Sequence, residues 1–138
     1  MPLMLISELR LLLVCSLLLF SGLLLADERI LNYHSDILIH TDGSITVTET
    51  IRVNAEGNNI RRGIYRDFPT SYKDRLGNHY RVSFDVVDVQ RNGNSEAFHS
   101  EDRSNGVRVY MGSASNTLPP GMHEYRLRYI TSRQLGFF

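Results

Sequence analysis

Hydrophobic and polar residues alternate along two neighbouring stretches near the start of the polar part of the chain. Residues 31–39 carry most of their apolar side chains at odd positions, and residues 45–53 alternate in the same way with many β-branched side chains. A period of two residues is typical of a strand with one buried face. Asp42-Gly43 lies between the stretches, and this dipeptide is a strong hairpin signal. The pattern predicts a β-hairpin whose second strand buries Ile45, Val47, Ile51 and Val53.

The same alternation returns in the second half of the chain. Residues 79–86, 107–111 and 123–131 alternate, and residues 96–100 form a shorter and weaker run. Asn92-Gly93 and Asn105-Gly106 supply turn signals between these runs. About six strands, frequent turns and no amphipathic helix predict an all-β fold, an antiparallel β-sandwich of immunoglobulin type. A small β-barrel is the alternative.

Residues 55–77 lack a clear period. Gly57, Gly63, Pro69 and Gly77 interrupt this stretch. An irregular segment of that length is unusual in a compact domain and is often functional. We therefore expect a long loop here.

The first 26 residues have the pattern of an export signal. Arg10 precedes the uncharged residues 11–26, and Ala26 is followed by two acidic residues. The apolar run is shorter than the ~20 residues that span a membrane, so a cleaved signal-peptide helix over 1–26 is favoured over an uncleaved anchor. The pattern predicts an exported domain over 27–138, in the periplasm or on the extracytoplasmic side of the cell membrane.

Composition excludes several kinds of chemistry. The chain has fifteen basic and fifteen acidic residues, which argues against nucleic acid as a partner. Its one cysteine, Cys15, lies in the predicted signal, so residues 27–138 cannot form a disulfide or a thiolate metal site. The five histidines lack the spacing of a metal site, and no nucleotide-binding loop or nucleophile motif is present. No metal or cofactor is predicted, and a non-enzymatic role is favoured.

Glu49 is a carboxylate at an inward position, between Val47 and Ile51. Such a group is a candidate general acid or base, which leaves a hydrolase using Glu49 with a loop arginine as an alternative. A buried charge also requires a partner, so a structural pair with an arginine is the favoured interpretation.

The predicted loop contains the candidate binding residues. Guanidinium groups alternating with aromatic rings can bind carboxylates, phosphates or lipid headgroups. In the competing interpretation the aromatic side chains close one end of the fold and the arginines pair with Glu49 and Asp67. The candidate binding residues are Arg61, Arg62, Tyr65, Arg66 and Phe68.

Three segments carry a family resemblance. They are Asp-Gly-Ser-Ile-Thr-Val-Thr-Glu at 42–49, Arg-Gly-Ile-Tyr-Arg-Asp-Phe-Pro at 62–69, and residues 125–131. Together they resemble the N-terminal domain of a bacterial family of predicted membrane proteins, known as domain of unknown function 2207 and labelled YciQ-like. The resemblance implies an extracytoplasmic domain followed, in relatives, by transmembrane helices and a glycine-rich tail. It implies no established activity.

The resemblance also implies that residues 27–138 are an incomplete copy, because relatives continue past position 138 with a further strand. Membrane association would then come from the N-terminal segment or from helices that this chain lacks. The expected function is a non-catalytic binding domain in the cell envelope, contacting an envelope protein or an anionic membrane or ligand surface. A domain that binds peptides by strand addition is a further alternative.

Overall fold

The computed structural model describes residues 27–134, and these residues form ten strands and no helix. The predicted signal peptide at 1–26 lies outside the described residues. The strands are β1 Arg29–Ile39, β2 Ile45–Ala55, β3 Gly63–Pro69, β4 Ser71–Lys73, β5 His79–Arg81, β6 Phe84–Arg91, β7 Asn94–Ser95, β8 Phe98–Arg103, β9 Gly106–Gly112 and β10 Gly121–Thr131.

The strands form two larger sheets and a small one. The first sheet has the order β1-β2-β10-β6-β7, the second sheet has the order β3-β9-β8, and β4 pairs with β5. Every pairing is antiparallel. The prediction of an all-β antiparallel fold is confirmed.

The first hairpin has the predicted phase. Ile37 lies opposite Val47 in the β1–β2 register, and Val47 is buried. Gly43 takes a φ of 81°, a backbone conformation that glycine adopts without strain. The Asp42 carboxylate accepts hydrogen bonds from the backbone N–H and the hydroxyl of Ser44, at 2.9 and 2.6 Å. These two bonds and the glycine fix the turn between the strands.

The core lies between the first and second sheets. Aromatic rings join them: Phe68 of β3 lies 4.4 Å from Phe84 of β6 and 4.8 Å from Tyr129 of β10, measured between ring centroids. This packing holds the second sheet over the middle of the first. The buried core consists of Val47, Ile51, Val53, Val89, Val109, Met111, Leu118, Tyr125, Leu127 and Tyr129.

Strand β1 differs from the prediction of a half-buried strand. All eleven of its residues are exposed. The alternation in residues 31–39 is real, since Ile37 and Ile39 lie opposite the inward positions 47 and 45. Arg66 of β3 reaches Tyr33 on that face. The described chain leaves Ile37 and Ile39 mostly exposed, because the second sheet ends at β3.

The expected loop over residues 55–77 is also wrong in part. It contains β3 and β4, so only residues 56–62, Thr70 and residues 74–77 of this stretch lie outside strands. The inward side chains of β3 are Ile64, Arg66 and Phe68. Because Arg66 is charged, the inward positions of β3 do not show the regular apolar alternation that is typical of a strand. Gly63 permits close pairing with β9, since a Cβ there would lie 1.9 Å from the Met111 carbonyl oxygen.

Two further boundaries differ from the prediction. The run expected over residues 79–86 is interrupted after Arg81, where β5 ends, and β6 begins at Phe84. The weak strand expected at 96–100 starts later, as β8 at Phe98. The Asn92-Gly93 and Asn105-Gly106 turns lie where predicted, each between paired antiparallel strands.

Candidate functional site

Strand β3 separates the predicted binding residues onto two faces. Side chains alternate between the faces of any strand. Arg66 lies opposite the buried Val109 and faces the core, and Phe68 shares that face. Tyr65 lies on the other face and is 54% exposed. The structure therefore does not bring these side chains together as one surface.

The inward face holds an ion pair between the sheets. The Glu49 carboxylate in the middle of β2 is 2% exposed. Arg66 donates from Nε to Oε2 and from Nη2 to Oε1, both at 2.8 Å, and the Tyr129 hydroxyl donates to Oε1 at 3.2 Å. The hydrogen bonds to Glu49 raise the pKa of Arg66. The expectation that an arginine pairs with Glu49 is confirmed.

Aromatic rings surround the guanidinium group of Arg66. Its central carbon lies 5.1 Å from the Phe68 ring centroid and 5.5 Å from that of Tyr33, within the range of cation–π attraction. Burial raises the pKa of Tyr33, and the nearby Glu49 carboxylate adds to this effect. The hydrogen bonds from Arg66 and Tyr129 engage both oxygens of the Glu49 carboxylate. This arrangement favours a structural role for the carboxylate. Within residues 27–134, no three His, Cys, Asp or Glu side chains are grouped to hold a metal ion.

The outward face of the second sheet carries an ordered aromatic and charged surface. The Arg108 guanidinium lies 4.0 Å from the Tyr65 ring centroid, and the Tyr65 and Tyr110 centroids are 5.8 Å apart. Arg108 donates from Nε and Nη2 to the two carboxylate oxygens of Asp67, at 2.6 and 2.7 Å. These hydrogen bonds raise the pKa of Arg108 and lower the pKa of Asp67.

Strand β8 extends this surface. The His99 ring stacks on Tyr110, with centroids 4.6 Å apart and planes inclined by 12°. Arg103 donates to the Tyr110 hydroxyl at 2.9 Å and lies 3.3 Å from Glu101. Since each ring contacts another side chain, the rings are held in place. We call this surface the Tyr65 face; it consists of Tyr65, Asp67, His99, Arg108 and Tyr110.

Arg61 and Arg62 lie at one end of the Tyr65 face. They line an open cleft of about 480 Å³ together with Tyr65, His99 and Tyr110. Both arginine residues are exposed, and among the described residues neither guanidinium has a carboxylate partner. Glu101 also lines the cleft and lies 3.3 Å from Arg103. Two guanidinium groups without an ion-pair partner of their own, beside aromatic rings, can bind an anionic group.

Glu28 fixes the loop that leads to these arginines. Its carboxylate accepts four backbone N–H hydrogen bonds, from Glu56, Asn58, Asn59 and Ile60, at distances of 2.6 to 3.2 Å. Burial acts to raise the pKa of Glu28, but these four donors together lower it to about 2. The chain just before β1 therefore sets the position of residues 56–60, which precede Arg61.

Sequence reasoning missed the part of the Tyr65 face that lies outside β3. His99, Arg108 and Tyr110 are far from Tyr65 in the sequence and reach it through the pairing of β9 with β3 and β8. The alternation of residues 107–111 was a usable signal, because it places Arg108 and Tyr110 on one face. The sequence pattern did not indicate the strand order β3-β9-β8, which brings these side chains beside Tyr65.

These features define an all-β domain with a buried ion pair between two sheets and an ordered aromatic surface on one of them. The chain belongs to the family described as "Predicted membrane protein (DUF2207) N-terminal domain", whose model matches residues 29–138. The part of the chain that the structure describes contains no helix that is long and apolar enough to cross a membrane.

One curated relative is the "Uncharacterized protein YciQ" of Escherichia coli (strain K12). It is 25% identical over 128 residues, which cover 83% of this chain and 20% of the relative. The chain thus spans about a fifth of the length of that protein.

One solved structure that matches part of the chain is the native leukotriene A4 hydrolase from Saccharomyces cerevisiae. The match has a TM-score of 0.44 and 21% sequence identity, and it covers 75% of this chain and 15% of that one. This degree of similarity does not define a shared fold.

Proposed function

We propose that this domain is a non-catalytic interaction module on the extracytoplasmic side of a bacterial cell membrane. In this proposal Arg61 and Arg62 bind anionic headgroups, and the exposed rings of the Tyr65 face supply contact area. The observation that carries the proposal is the cleft in which two exposed guanidinium groups without carboxylate partners meet Tyr65 and Tyr110.

Order within the Tyr65 face supports a binding role. Binding costs entropy when side chains must be immobilised. Here Asp67 already orients Arg108, and Arg108 stacks on Tyr65. Surfaces with such held rings lose little further freedom when a partner docks. Membership of a family of predicted membrane proteins supports a membrane surface as that partner.

The remaining parts of the proposal concern architecture and location. The packing of the first and second sheets through Phe68, Phe84 and Tyr129 supports an immunoglobulin-like sandwich. The uncharged residues 11–26 support export of residues 27–138 by a signal peptide or an N-terminal anchor.

Vesicle binding tests the proposal. The double variant Arg61→Ala/Arg62→Ala is compared with Arg75→Ala/Arg126→Ala, which removes two exposed arginines from other surfaces. Binding is measured by co-sedimentation with vesicles of phosphatidylglycerol and phosphatidylcholine, and with phosphatidylcholine alone. We expect the first variant to bind the anionic vesicles at least tenfold more weakly with an unchanged melting temperature, and the control to lose less than threefold.

Equal losses in the two double variants would mean that only net charge matters, and the proposal would be wrong. If the wild-type protein did not co-sediment with the anionic vesicles, a lipid partner would also be excluded. In that case an envelope protein becomes the better candidate for the Tyr65 face.

A further inference from the structure

Strand β1 is the longest open sheet edge in the part of the chain that the structure describes. It has eleven residues and pairs with β2 alone, whereas the opposite edge of the same sheet is the two-residue strand β7. An open edge presents unpaired N–H and C=O groups, which can pair with another strand. Strand β1 therefore offers a long row of backbone donors and acceptors.

The sequence of β1 lacks the features that usually protect such an edge. Proline, lysine and clustered charges commonly block pairing at an exposed edge. Strand β1 contains neither proline nor lysine, whereas β3 ends in Pro69 and three of the six residues of β8 are charged. Six of the eleven exposed residues of β1 are large and apolar: Ile30, Leu31, Tyr33, Ile37, Leu38 and Ile39. Contiguous apolar surface of this kind marks an interaction surface.

The backbone groups of the odd-numbered residues of β1 face the open edge. At the end of the hairpin the N–H of His40 donates to the carbonyl oxygen of Ser44 at 2.9 Å, so the backbone groups of His40 point towards the partner strand β2. Along an antiparallel pair these groups alternate in direction from one residue to the next. The register is regular over residues 32–39, so the N–H and C=O of Ser35 point away from β2.

One antiparallel register between two copies of β1 matches side chains as well as backbone groups. When Ser35 lies opposite Ser35 of the second copy, His34 of each copy lies opposite Asp36 of the other. An imidazole and a carboxylate attract each other, and within one copy these two side chains already lie 3.1 Å apart. They form a non-hydrogen-bonded pair, the kind in which facing side chains approach most closely.

Neighbouring registers are less favourable. Centring the pair on His34 or on Asp36 places identical titratable side chains opposite each other, which is destabilising when they carry like charges. Centring it on Ser35 also places Tyr33 of each copy opposite Ile37 of the other. An aromatic side chain opposite a β-branched one is a favourable cross-strand pair.

We propose that two copies of this chain pair through β1, antiparallel and centred on Ser35. The two five-stranded sheets then become one sheet of ten strands with a two-fold axis at its middle. The pairing satisfies the open backbone groups of β1 and gives its apolar side chains apolar neighbours in place of water. It is independent of the proposed membrane contact, because β1 contains no residue of the Tyr65 face.

Disulfide formation tests the register. In the full chain Cys15, its one cysteine, is changed to Ser, and Ser35→Cys and Ile37→Cys are then introduced separately. Facing Cα atoms of a hydrogen-bonded pair lie ~5.5 Å apart, which suits a disulfide. The two copies of position 37 lie four residues apart along the strands, about 13 Å. On non-reducing gels after mild oxidation, we expect a covalent dimer from Ser35→Cys and monomer from Ile37→Cys.

Sedimentation equilibrium measures the strength of pairing. We expect the wild-type chain to interconvert between monomer and dimer as its concentration changes. Ile37→Lys places a charge on the paired edge and should raise the dimer Kd at least tenfold. The control Phe98→Lys adds the same charge to the exposed strand β8, where Phe98 is 42% exposed, and should change the Kd less than threefold.

A charge exchange tests the facing pair. His34→Asp places two carboxylates opposite each other at both ends of the two-fold axis, so the dimer Kd should rise. His34→Asp/Asp36→His exchanges the two side chains and should restore the Kd to within threefold of wild type.

Three results would overturn the proposal. A wild-type chain that stays monomeric at every concentration would mean that another molecule or segment covers β1. Equal oxidation of the two cysteine variants would exclude the register centred on Ser35. Association that Ile37→Lys leaves unchanged would assign the contact to another part of the chain. None of these measurements involves vesicles, so failure of this inference is distinguishable from failure of the proposed function.

Discussion

Arg66 of the second sheet holds the Glu49 carboxylate of the first sheet with two parallel hydrogen bonds of 2.8 Å. Glu49 is 2% exposed, and the Arg66 side chain is 35% exposed. The pair is therefore buried at its acidic end and partly hydrated at its basic end. It connects β2 to β3, and Arg66 also donates a hydrogen bond to the Tyr33 hydroxyl of β1 at 3.4 Å.

Removing the arginine should harm the fold more than removing the whole pair. Arg66→Ala leaves a buried carboxylate with Tyr129 as its remaining donor, and we expect a loss of about 3 kcal/mol in the free energy of unfolding. Glu49→Leu/Arg66→Met replaces both charges with apolar side chains and should lie within about 1 kcal/mol of wild type. Urea denaturation measures both. A double variant as unstable as Arg66→Ala would contradict this account.

Two buried tyrosines should respond oppositely to loss of the hydroxyl group. Tyr125 is fully buried, and its hydroxyl has no hydrogen-bond partner among the described residues. Burial raises the pKa of Tyr125 to about 12. Tyr125→Phe should be as stable as wild type or up to about 1 kcal/mol more stable, because an unsatisfied polar group is removed.

Tyr129→Phe is the matched comparison. It loses the hydrogen bond to Glu49 and should be destabilised by about 1–2 kcal/mol. Thermal melts of the two variants at neutral pH test the contrast. If Tyr125→Phe were the more damaging change, its hydroxyl must have a partner that the described residues do not supply.

Glu28 should contribute stability at neutral pH that acid removes. The backbone N–H donors lower its pKa to about 2 in the folded protein, from an ordinary value of 4.5. A lowered folded-state pKa stabilises the fold above about pH 5, and the contribution is lost as the pH falls through 4.5 towards 2. The gap in urea midpoint between wild type and Glu28→Gln should therefore be largest at pH 7 and small at pH 2.5.

Asp27→Asn, an adjacent exposed carboxylate, is the control and should show a smaller gap at neutral pH. A gap that does not change with pH would show that the Glu28 contacts do not depend on its charge.

The sequence predicted those parts of the fold that depend on neighbours along the chain. The Asp42-Gly43 turn and the inward phase of Val47, Glu49 and Ile51 are local properties of one hairpin. An arginine partner for Glu49 followed from the cost of burying a charge. The sequence narrowed that partner to the arginines of the predicted loop. It did not select Arg66 among them, because Arg66 reaches Glu49 from the other sheet.

Features that depend on sheet width and strand order escaped prediction. The alternation in residues 31–39 indicated burial, but burial of Ile37 requires a neighbouring segment above it. Tyr65 and His99 approach each other only because β9 lies between β3 and β8. Arg66 interrupted an apolar period, so a strand was interpreted as a loop. In each case the deciding contacts are non-local.

The position of β10 in the first sheet determines when the domain can fold during synthesis. The strand Gly121–Thr131 is made last of the ten, yet it lies between β2 and β6. The β1–β2 and β6–β7 hairpins can close early because their strands are adjacent in the chain, whereas joining them requires the final strand. Until it arrives, β2 and β6 each present an unpaired edge, which is a template for aggregation. These two edges therefore stay unpaired until β10 has been made.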